Sequence, residues 1–422
     1  MDDLAVRTVR GRAAKQERSE RTRAALVGAV ISVLAEHGAA GLTHRRVAQR
    51  AGASLAATTY YFASKQDMVA EAANELLRTA LADLSALAEK TRGGGEHGFR
   101  RVLARLAANG MGAHRERTLA WCEILLDGAR RPEAHAFTRN GFERLVQVWT
   151  QIARAFGVPY PAIAARSGLD ILVGAFLHGL ALDLDPDAMW ATLVGQVNGA
   201  QLFPKLDEAA PTRPEAPPLA ARTAATRKRI LETAVRLLAM RGASAVNYRL
   251  VALEAGLTAG APAYHFPSPD ALLTEAEALL LARSRARHRE AMNNALEGLD
   301  LATMVELTAV IFQSEATEFG QQNLATYSVW LRSVRAPQIK PLVHAVLAEV
   351  YRAWARTLLT VGAVNNGAEP LLVQYLLVGG MVRALAAGVT TNDFVKIRWR
   401  LKDDIQALVG GRHWMQAKAP GG

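Results

Sequence analysis

The chain has 422 residues, of which half are apolar, and this length suits two to four domains with sizeable cores. Its net charge of +11 favours a polyanionic partner, nucleic acid before a membrane surface, while a lone cysteine, Cys122, excludes an internal disulfide and the charged N-terminus excludes a signal peptide. Because no uncharged apolar run reaches the roughly 18 residues of a membrane span, and because Ala, Leu and Arg outnumber clusters of β-branched residues, we expect an all-α, cytoplasmic protein without membrane contact.

The chain opens with a basic arm and an amphipathic helix. Residues 1–23 carry seven Lys or Arg against four Asp or Glu, a charge balance typical of an arm that reaches a DNA backbone or minor groove. After the arm, aliphatic residues recur with the period of a helix at Leu26, Val30, Val33 and Leu34. Gly38 predicts the end of this helix as a C-terminal glycine cap.

Two short predicted helices follow, joined by a glycine. Thr43 is a good N-cap for a helix over 44–50, and Gly52 ends that helix. Ser54 is a good N-cap for the next helix, over 55–61. Two short helices around a glycine turn predict a helix-turn-helix, whose second helix enters the major groove of DNA.

The side chains of this motif suit DNA contact. Arg45, Arg46 and Lys65 lie near helix N-termini, where they can reach phosphate together with the backbone amides. The small residues of the second short helix allow close approach to base edges, and its threonine hydroxyls can bond to bases. The candidate DNA contacts are Thr43, Arg45, Arg46, Ser54, Leu55, Ala56, Ala57, Thr58, Thr59, Tyr60, Tyr61 and Lys65. Among the aromatic residues, we expect Tyr60 and Phe62 to pack in the core rather than to stack on bases.

Long helices are predicted for the rest of the first half. Ser64 caps a helix over 65–90, which a run of glycines breaks, and Pro132 begins another long helix. Two closing helices are expected near 162–182 and 186–200.

The whole pattern occurs twice. With a shift of 204 residues, 15 of the 45 positions from Thr22 to Gln66 are identical, and with a shift of 205 the register continues through the closing helices. Matched pairs in the later part include Leu119 with Leu324, Trp149 with Trp354, and Gly174 with Gly379. Five prolines between 204 and 221 exclude a helix there and predict an extended linker.

The repeat divides the chain into two units, each with a DNA-binding head and a larger helical domain. The predicted domains are the first head with its arm (1–66), the first ligand-binding domain (67–203), the linker (204–221), the second head (222–270), the second ligand-binding domain (271–410) and a tail (411–422). The second unit is expected to repeat the helices of the first and to close near residue 408.

The second helix-turn-helix keeps the packing pattern and loses the charge of the first. The net charge is +4 over residues 41–65, whereas over residues 245–269 Arg249 and Glu254 cancel to zero. Pro262 lies within the predicted recognition helix, at the position of Thr58. The packing residues expected to remain are Val251, Ala252, Gly256, Tyr264 and Phe266. The candidate DNA contacts are Tyr248, Arg249, Thr258, Tyr264 and His265, with a weaker hold on phosphate than in the first head.

Residues 22–69 resemble the N-terminal DNA-binding domain of the TetR (tetracycline-repressor) family of transcriptional regulators. The resemblance rests on Arg23, Gly38, Leu42-Thr43, Val47-Ala48, Ala51-Gly52, Ser54, Tyr60, Phe62, Ser64-Lys65 and Met68. It implies an all-helical regulator in which a small molecule binds the larger domain, tilts the connecting helix and changes the spacing of the recognition helices. Members of that family usually carry one unit per chain and dimerise through their last two helices, whereas this chain carries two units.

Large aromatic and isolated polar residues in the apolar helices are candidates for an effector pocket. They are Trp121, Trp149, Phe176, His178, Tyr327, Trp330, Trp354, Tyr375 and Arg383. His178 and its counterpart Arg383 have two interpretations: a structural polar group at a helix interface, or a contact in a pocket or pseudo-dimer. No residues have the spacing of metal ligands or of a nucleophile and its base, so we expect no cofactor, no metal and no enzymatic activity.

The expected function is a ligand-responsive repressor that binds a double-stranded DNA operator and is released by a small apolar or amphipathic effector of unknown identity. Helices near 162–200 are expected to pack against helices near 366–408, so that one chain forms an intramolecular pseudo-dimer; pairing of two chains is the alternative. An activator fits the same residues. An alternative from another class is a ligand-binding adaptor that has lost operator binding and acts through protein contacts.

Overall fold

The computed structural model describes residues 2–90, 95–197, 199–203, 221–293, 299–363 and 367–409. Within these ranges the chain forms α-helices and short 3₁₀ turns and no strand, so the predicted all-α fold is confirmed. The predicted linker over 204–221 lies outside the described residues except for its last position, and the predicted tail over 411–422 lies wholly outside them.

Both halves of the chain fold into the same order of helices. The first half contains α1 (Asp2–Gly41), α2 (His44–Ala51), α3 (Leu55–Tyr61), α4 (Lys65–Lys90), α5 (Gly95–Met111), α6 (Arg115–Gly128), α7 (Pro132–Ala155), α8 (Pro161–Leu182) and α9 (Pro186–Val194). The second half contains α10 (Ala221–Arg241), α11 (Tyr248–Glu254), α12 (Ala261–His265), α13 (Pro269–Asn293), α14 (Leu301–Thr317), α15 (Gly320–Ser333), α16 (Lys340–Thr360), α17 (Glu369–Ala386) and α18 (Thr391–Val409). Helices α10 to α18 therefore correspond in order to α1 to α9.

The basic arm is the beginning of α1. Residues 2–23 continue without a break into the amphipathic part of this helix. Gly38 interrupts the helix with φ 66° and ψ 175°, a left-handed φ that glycine adopts without the strain of a side chain. The predicted glycine stop at residue 38 therefore coincides with a kink in the chain.

The two heads differ in how their apolar cores join the rest of the protein. Buried residues of the first head form a cluster of their own, which includes Leu26, Val30, Leu34, Val47, Phe62 and Met68. In the second head, Ile230, Leu238, Val251 and Phe266 belong to the large core that runs through both halves. The cluster of the first head also takes Ala120 and Ile124 from α6, so the first head still packs closely on its larger domain.

The two halves pack on each other through α6, α8, α15 and α17. Helices α8 and α17 cross at a pair of glycines: a Cβ atom built on Gly174 would lie 2.0 Å from the backbone oxygen of Tyr375, and one built on Gly379 would lie 1.8 Å from that of Asp170. The shift of 205 residues that relates Gly174 to Gly379 also relates Asp170 to Tyr375. The crossing therefore has pseudo-twofold symmetry, and glycine is required there because the two backbones touch.

The last helix of each half packs differently from the expectation that both closing helices meet the other half. Helix α9 packs on α5, and α18 packs on α14, each within its own half. Helix α18 does make side-chain contacts with the first half, because Arg166 and Ser167 of α8 donate to Asp404 at 3.0 and 2.9 Å. Because the backbones of α8 and α17 touch, α9 and α18 have no room to pack between these two helices.

Three segments are long and apolar enough to cross a membrane by length and composition: Gln16–Gly41, Pro161–Leu182 and Glu369–Ala386. The sequence analysis looked for a run without any charged residue and therefore missed these segments. Each of them is apolar enough on average even though the criterion allows up to two charged residues in a window. Within the protein, 83% of the window in α8 and 78% of the window in α17 are buried. The apolar surface of these two helices is therefore used mainly for packing inside the molecule.

Candidate DNA interface and effector cavity

The helix-turn-helix of the first head has the caps that the sequence predicts. Thr43 Oγ1 accepts a hydrogen bond from the backbone N–H of Arg46 at 3.3 Å, and Ser54 Oγ accepts one from Ala57 at 3.1 Å. Gly52 ends α2 with a left-handed φ of 61°. These caps fix the beginnings of α2 and α3 and the angle between them.

The outer face of α3 presents Leu55, Ala56, Thr59 and Tyr60 to solvent. Thr58, which was expected to face bases, is fully buried instead, and its hydroxyl donates to the backbone oxygen of Leu55 at 2.8 Å. The hydroxyl of Thr59 is exposed and bonds to Ala56 O at 3.1 Å. Of the two threonines, only Thr59 lies where it can meet a base.

The expectation that Tyr60 packs in the core is wrong, since its side chain is 81% exposed. A helix turns by about 100° per residue, so a residue two positions after buried Thr58 points to the opposite side. The Tyr60 ring stacks edge-on with Tyr61 at 5.1 Å, and the Tyr61 hydroxyl lies 2.8 Å from Ser19 Oγ on α1. Phe62, in contrast, is buried as expected.

Basic side chains surround this face. Arg45 and Arg46 are exposed on α2, and one guanidinium nitrogen of Arg46 donates to Gly41 O at 2.6 Å. Arg50 is held by Glu36 at 2.9 Å, and half-buried Lys65 is the first residue of α4. Of the three arginines on α2, Arg45 has no recorded protein bond among the described residues, so its charge faces solvent.

The second head is capped in the same way but has a shorter recognition helix. Asn247 Oδ1 accepts from Leu250 N at 3.0 Å, and Gly256 has a φ of 60°. Helix α12 begins at Ala261, two positions later than the counterpart of Leu55, so Pro262 lies in its first turn rather than in its interior. A first-turn proline needs no N–H partner, which explains why the helix starts there.

The surface of the second head is more apolar than that of the first. Tyr264, expected to be a packing residue, is 81% exposed like its counterpart Tyr60. Leu253 and Met240 are also exposed, at the positions that Gln49 and Glu36 occupy in the first head.

The other candidates of the second head divide between structure and surface. The Tyr248 hydroxyl donates to Phe266 O within the head. Arg249 and Thr258 are exposed, and His265 is half-buried. Val251, Ala252 and Phe266 are buried, as the packing pattern predicts.

A cavity of about 250 Å³ lies in the second unit, between α13, α14, α15, α16 and α17, and is closed on one side by His178 of α8. Four of the candidate pocket residues line it: His178, Tyr327, Trp330 and Trp354. Residues that sequence reasoning missed include Thr326 and Asn323 on α15. The sequence shows them only as polar residues on an otherwise apolar helix. This pattern indicates a pocket only once the neighbouring helices are known.

His178 is a neutral wall residue of this cavity. Burial lowers the pKa of its imidazole to about 4. Its Nδ1 lies 2.8 Å from Gly174 O and must donate there, because a carbonyl oxygen only accepts, which leaves a lone pair on Nε2. The ring makes edge contacts with Trp330 at 5.1 Å and Tyr375 at 4.9 Å.

The remaining pocket candidates do not line this cavity. Tyr375 is buried behind His178, and Arg383 forms an ion pair with Asp170. In the first unit, Trp149 packs edge-on against Phe99 at 5.4 Å. Phe176 packs against Gly110, and Trp121 is partly buried between the core of the first head and the large core. In the first unit, these aromatic rings are thus packed within the core.

Within the described ranges, no group of three or more His, Cys, Asp or Glu side chains is arranged to hold a metal ion. The buried Cys122 has a raised pKa because of burial, which keeps it in the thiol form.

Comparison with protein families identifies both heads. Residues 26–72, and again residues 230–276, match the family model described as bacterial regulatory proteins, tetR family. Residues 94–199 match the model described as tetracyclin repressor-like, C-terminal domain. A comparison with curated proteins finds no match. The two N-terminal matches fall on the two helix-turn-helix heads, and the C-terminal match falls on α5 to α9 of the first unit.

Proposed function

Because the chain belongs to the TetR family of bacterial regulators and carries the family's unit twice, we propose that it is a transcriptional repressor released from its operator by a small molecule. DNA binding and transcription regulation follow from the family. The repressor role, the effector and the division of labour between the heads are the proposal. Family membership also favours a protein without enzymatic activity that works beside the DNA in the cytoplasm.

One observation carries the proposal: the same helix-turn-helix occurs in two electrostatic forms. The first head exposes α3 beside Arg45 and Arg46, and the second exposes Leu253 and Met240 around a shorter α12. Phosphate contacts supply most of the salt-dependent affinity of DNA-binding proteins. The first head is therefore the principal reader of DNA, and the second adds little phosphate contact.

The effector site in this proposal is the cavity of the second unit. An apolar or amphipathic molecule there would favour a head arrangement that does not fit the operator. Allosteric coupling of about 1–3 kcal/mol, or about 5- to 150-fold in operator affinity, is the usual range for such a response.

A matched pair of variants tests which head reads DNA. Arg45 and Arg249 occupy the same position of the two heads, and both are exposed. With DNA from around the protein's own gene, Arg45→Ala should weaken binding and reduce the slope of log affinity against log salt by about 1. Arg249→Ala should leave both unchanged. Equal losses in the two variants would mean that both heads grip DNA alike.

Repression and release need a separate measurement. Deleting the gene should raise transcription from the promoter that the protein binds, and a cell extract that contains the effector should lower operator affinity of the purified chain. A fall in transcription on deletion would instead make the protein an activator.

We also propose that one chain suffices as the DNA-binding unit. The packing of α8 on α17 supports this proposal. These two helices already pair the two heads within one chain, so pairing does not need a helix from a second chain. Light scattering at the concentration that saturates the operator should give the mass of a single chain. An assembly of two or more chains would support pairing through two intact first heads.

An adaptor that acts through protein contacts is the second candidate, and the apolar surface of the second head favours it. Exposed Met240 and Leu253 are more typical of a protein-binding surface than of a DNA-binding one. The absence of any DNA binding at moderate salt would support the adaptor over the repressor.

A further inference from the structure

We propose that the cavity of the second unit binds a neutral, one- or two-ring aromatic molecule that carries a hydrogen-bond acceptor. As an account of the effector this rests on the proposed function, but the binding itself can be measured without DNA. The first support is the wall, which is built of rings. Tyr327 and Trp330 lie 5.0 Å apart, and His178 lies 5.1 Å from Trp330, each pair in an edge-on arrangement that also suits a bound ring.

Two buried hydrogen-bond donors on one face of α15 are the second support. Thr326 is 4% exposed and Trp330 is 5% exposed, and both line the cavity. Among the described residues, neither the Thr326 hydroxyl nor the Trp330 indole N–H has a hydrogen-bond partner. The two residues are four positions apart, so their side chains are neighbours on the helix. An acceptor on the ligand would satisfy groups whose burial otherwise destabilises the fold.

The two carboxylates that line the cavity are already paired with arginines, which favours a neutral ligand. Glu315 accepts from Arg287 at 2.7 Å, and Glu349 accepts from both Arg285 and Arg289. Arg356 also lines the cavity and is solvent-exposed. A charged group placed between Trp330 and His178 would find no counter-charge and would lose its hydration.

The volume sets the size of the ligand. A cavity of about 150 Å³ holds one benzene ring in an engineered protein, so the 250 Å³ available here suits one or two rings with a short substituent.

Three naphthalenes test the proposal on the full chain by isothermal titration calorimetry. Acetylnaphthalene carries a ketone acceptor, ethylnaphthalene has the same shape without it, and naphthoate replaces it with a charge. Acetylnaphthalene should bind about tenfold more tightly than ethylnaphthalene, the value of one good hydrogen bond. Naphthoate should bind more weakly than either. Equal affinity for all three, or tightest binding of naphthoate, would overturn the proposal.

Two threonines that line the cavity provide a matched control. Thr326→Val removes an unpartnered hydroxyl, whereas Thr308→Val removes one that already donates to Met304 O at 2.8 Å. Thr326→Val and Trp330→Phe should reduce the preference for acetylnaphthalene over ethylnaphthalene, and Thr308→Val should not. Thr326→Val should not lower stability, because it removes a buried group without a partner. Specific binding that fails to change operator affinity would contradict the proposed function and leave this inference intact.

A different observation carries a second inference: an arginine of the second unit holds the first head. Arg335 follows α15, donates to the backbone oxygen of Ala35 on α1 at 3.0 Å, and forms an ion pair with Glu123 on α6. Glu123 also accepts from the backbone N–H of Ala39 at 3.1 Å, beside the kink of α1. Both contacts lie where the first head joins its larger domain.

The ion pair between Arg335 and Glu123 has no symmetric counterpart in the other unit. The counterparts of Arg335 and Glu123 are Arg130 and Ser328. Arg130 donates to Ser328 Oγ at 3.1 Å, and burial lowers the pKa of its guanidinium, although the charges of Asp127 and Glu123 act in the opposite direction. At these matched positions the arginine therefore bonds a carboxylate beside the first head and a neutral hydroxyl in the other unit.

We infer that the second unit controls the first head through Arg335. Helix α15 carries Thr326 and Trp330 in the cavity wall and ends two residues before Arg335. A shift of α15 caused by the cavity's contents moves the guanidinium that joins Ala35 to Glu123. The effector then binds in the second unit, and the first head, in the other unit, responds to it.

A double-mutant cycle on operator affinity tests this route. Trp330→Leu introduces the residue that the first unit has at the same position, Leu125, and Arg335→Gln removes the ion pair. Trp330→Leu should change operator affinity in the parent and should have at least about threefold less effect in the Arg335→Gln background. Arg130→Gln is the control and should leave the effect of Trp330→Leu unchanged. Additive effects of Trp330→Leu and Arg335→Gln would overturn the inference.

Discussion

Asp170 and Arg383 form a buried ion pair between the two units, at positions that the repeat relates to Tyr375 and His178. Arg383 Nε donates to Asp170 Oδ1 at 2.6 Å, whereas the Tyr375 and His178 rings meet edge-on at 4.9 Å. The pseudo-twofold axis therefore relates a charged contact to an aromatic one. His178 of the aromatic contact lines the cavity of the second unit. The two units therefore differ at this symmetric position: one has an ion pair, and the other has an aromatic contact beside a cavity.

Removing the charge of Asp170 should destabilise the interface between the units. Asp170→Asn leaves the partly buried Arg383 guanidinium without its hydrogen-bonding carboxylate, although the charge of Asp404 still acts on it, so the loss should be at most about 3–5 kcal/mol, the cost of breaking a fully buried pair. Denaturant unfolding measures the loss, and Asp170→Asn with Arg383→Met should recover part of it. The exposed pair Glu75–Arg78 is the control, since Glu75→Gln should change stability by less than about 0.5 kcal/mol. Similar effects at the two sites would contradict the buried pairing.

The glycine crossing predicts that alanine is not tolerated at either position. Gly174→Ala and Gly379→Ala each place a methyl within 2.0 Å of a backbone oxygen, so α8 and α17 must separate. Thermal unfolding should begin at lower temperature in both variants, and proteolysis should cleave between the units. Gly28→Ala on α1 meets no atom within 4 Å and should raise stability by about 0.5–1 kcal/mol. Normal stability of Gly174→Ala would contradict the close approach.

Adjacent threonines in α3 should behave oppositely. Thr58 is buried and bonds to Leu55 O, so Thr58→Ala should lower the stability of the first head by about 1 kcal/mol without changing which sequences it prefers. Thr59 is exposed, so Thr59→Ala should leave stability unchanged and alter sequence preference. Selection of bound sequences from a random pool, combined with thermal unfolding, separates the two effects. A changed preference in Thr58→Ala alone would mean that α3 meets DNA through another face.

His178 predicts a loss of stability in mild acid. Its folded pKa of about 4 lies below the value of about 6.5 in an unfolded chain, so the unfolded chain binds the proton first as pH falls. This contribution is constant above about pH 6.5 and is lost between about 6.5 and 4, by up to about 3 kcal/mol. Denaturant unfolding at several pH values should show a smaller loss for His178→Gln than for the parent. Equal pH dependence of the two chains would contradict the neutral, buried imidazole.

The helix-turn-helix could be predicted from the sequence because its signals are local. Thr43, Gly52 and Ser54 each act within four residues of their own position, and the structure ends and begins helices there. The prediction for Tyr60 is wrong because its recurrence as Tyr264 suggests core packing by sequence, whereas its angular distance from buried Thr58 on the helix decides its direction. Pro262 lies in α12 as predicted, but in its first turn, because α12 begins later than its counterpart α3.

The site in the second unit could not be predicted from local pattern, because its members come from six helices. Trp330 and Trp354 are typical core residues by sequence, and only the packing of α8 against α17 brings His178 to them. Arg335 is one of many arginines, and its contact with Ala35 joins residues 300 positions apart. The register of the repeat did contain a clue, since Glu123 and Ser328 are unlike residues at matched positions.

The apolar core of the first head takes Ala120 and Ile124 from the larger domain and is otherwise built from α1 to α4, which makes this head a natural unit of exchange. Residues up to about the middle of α4 could be replaced by the corresponding segment of another reader of DNA, because few core residues would be cut, and the hybrid would recognise a new sequence while answering to the same small molecule. The equivalent graft at the second head would pass through a core continuous with the rest of the protein. Engineering of new specificities should therefore begin at the amino terminus.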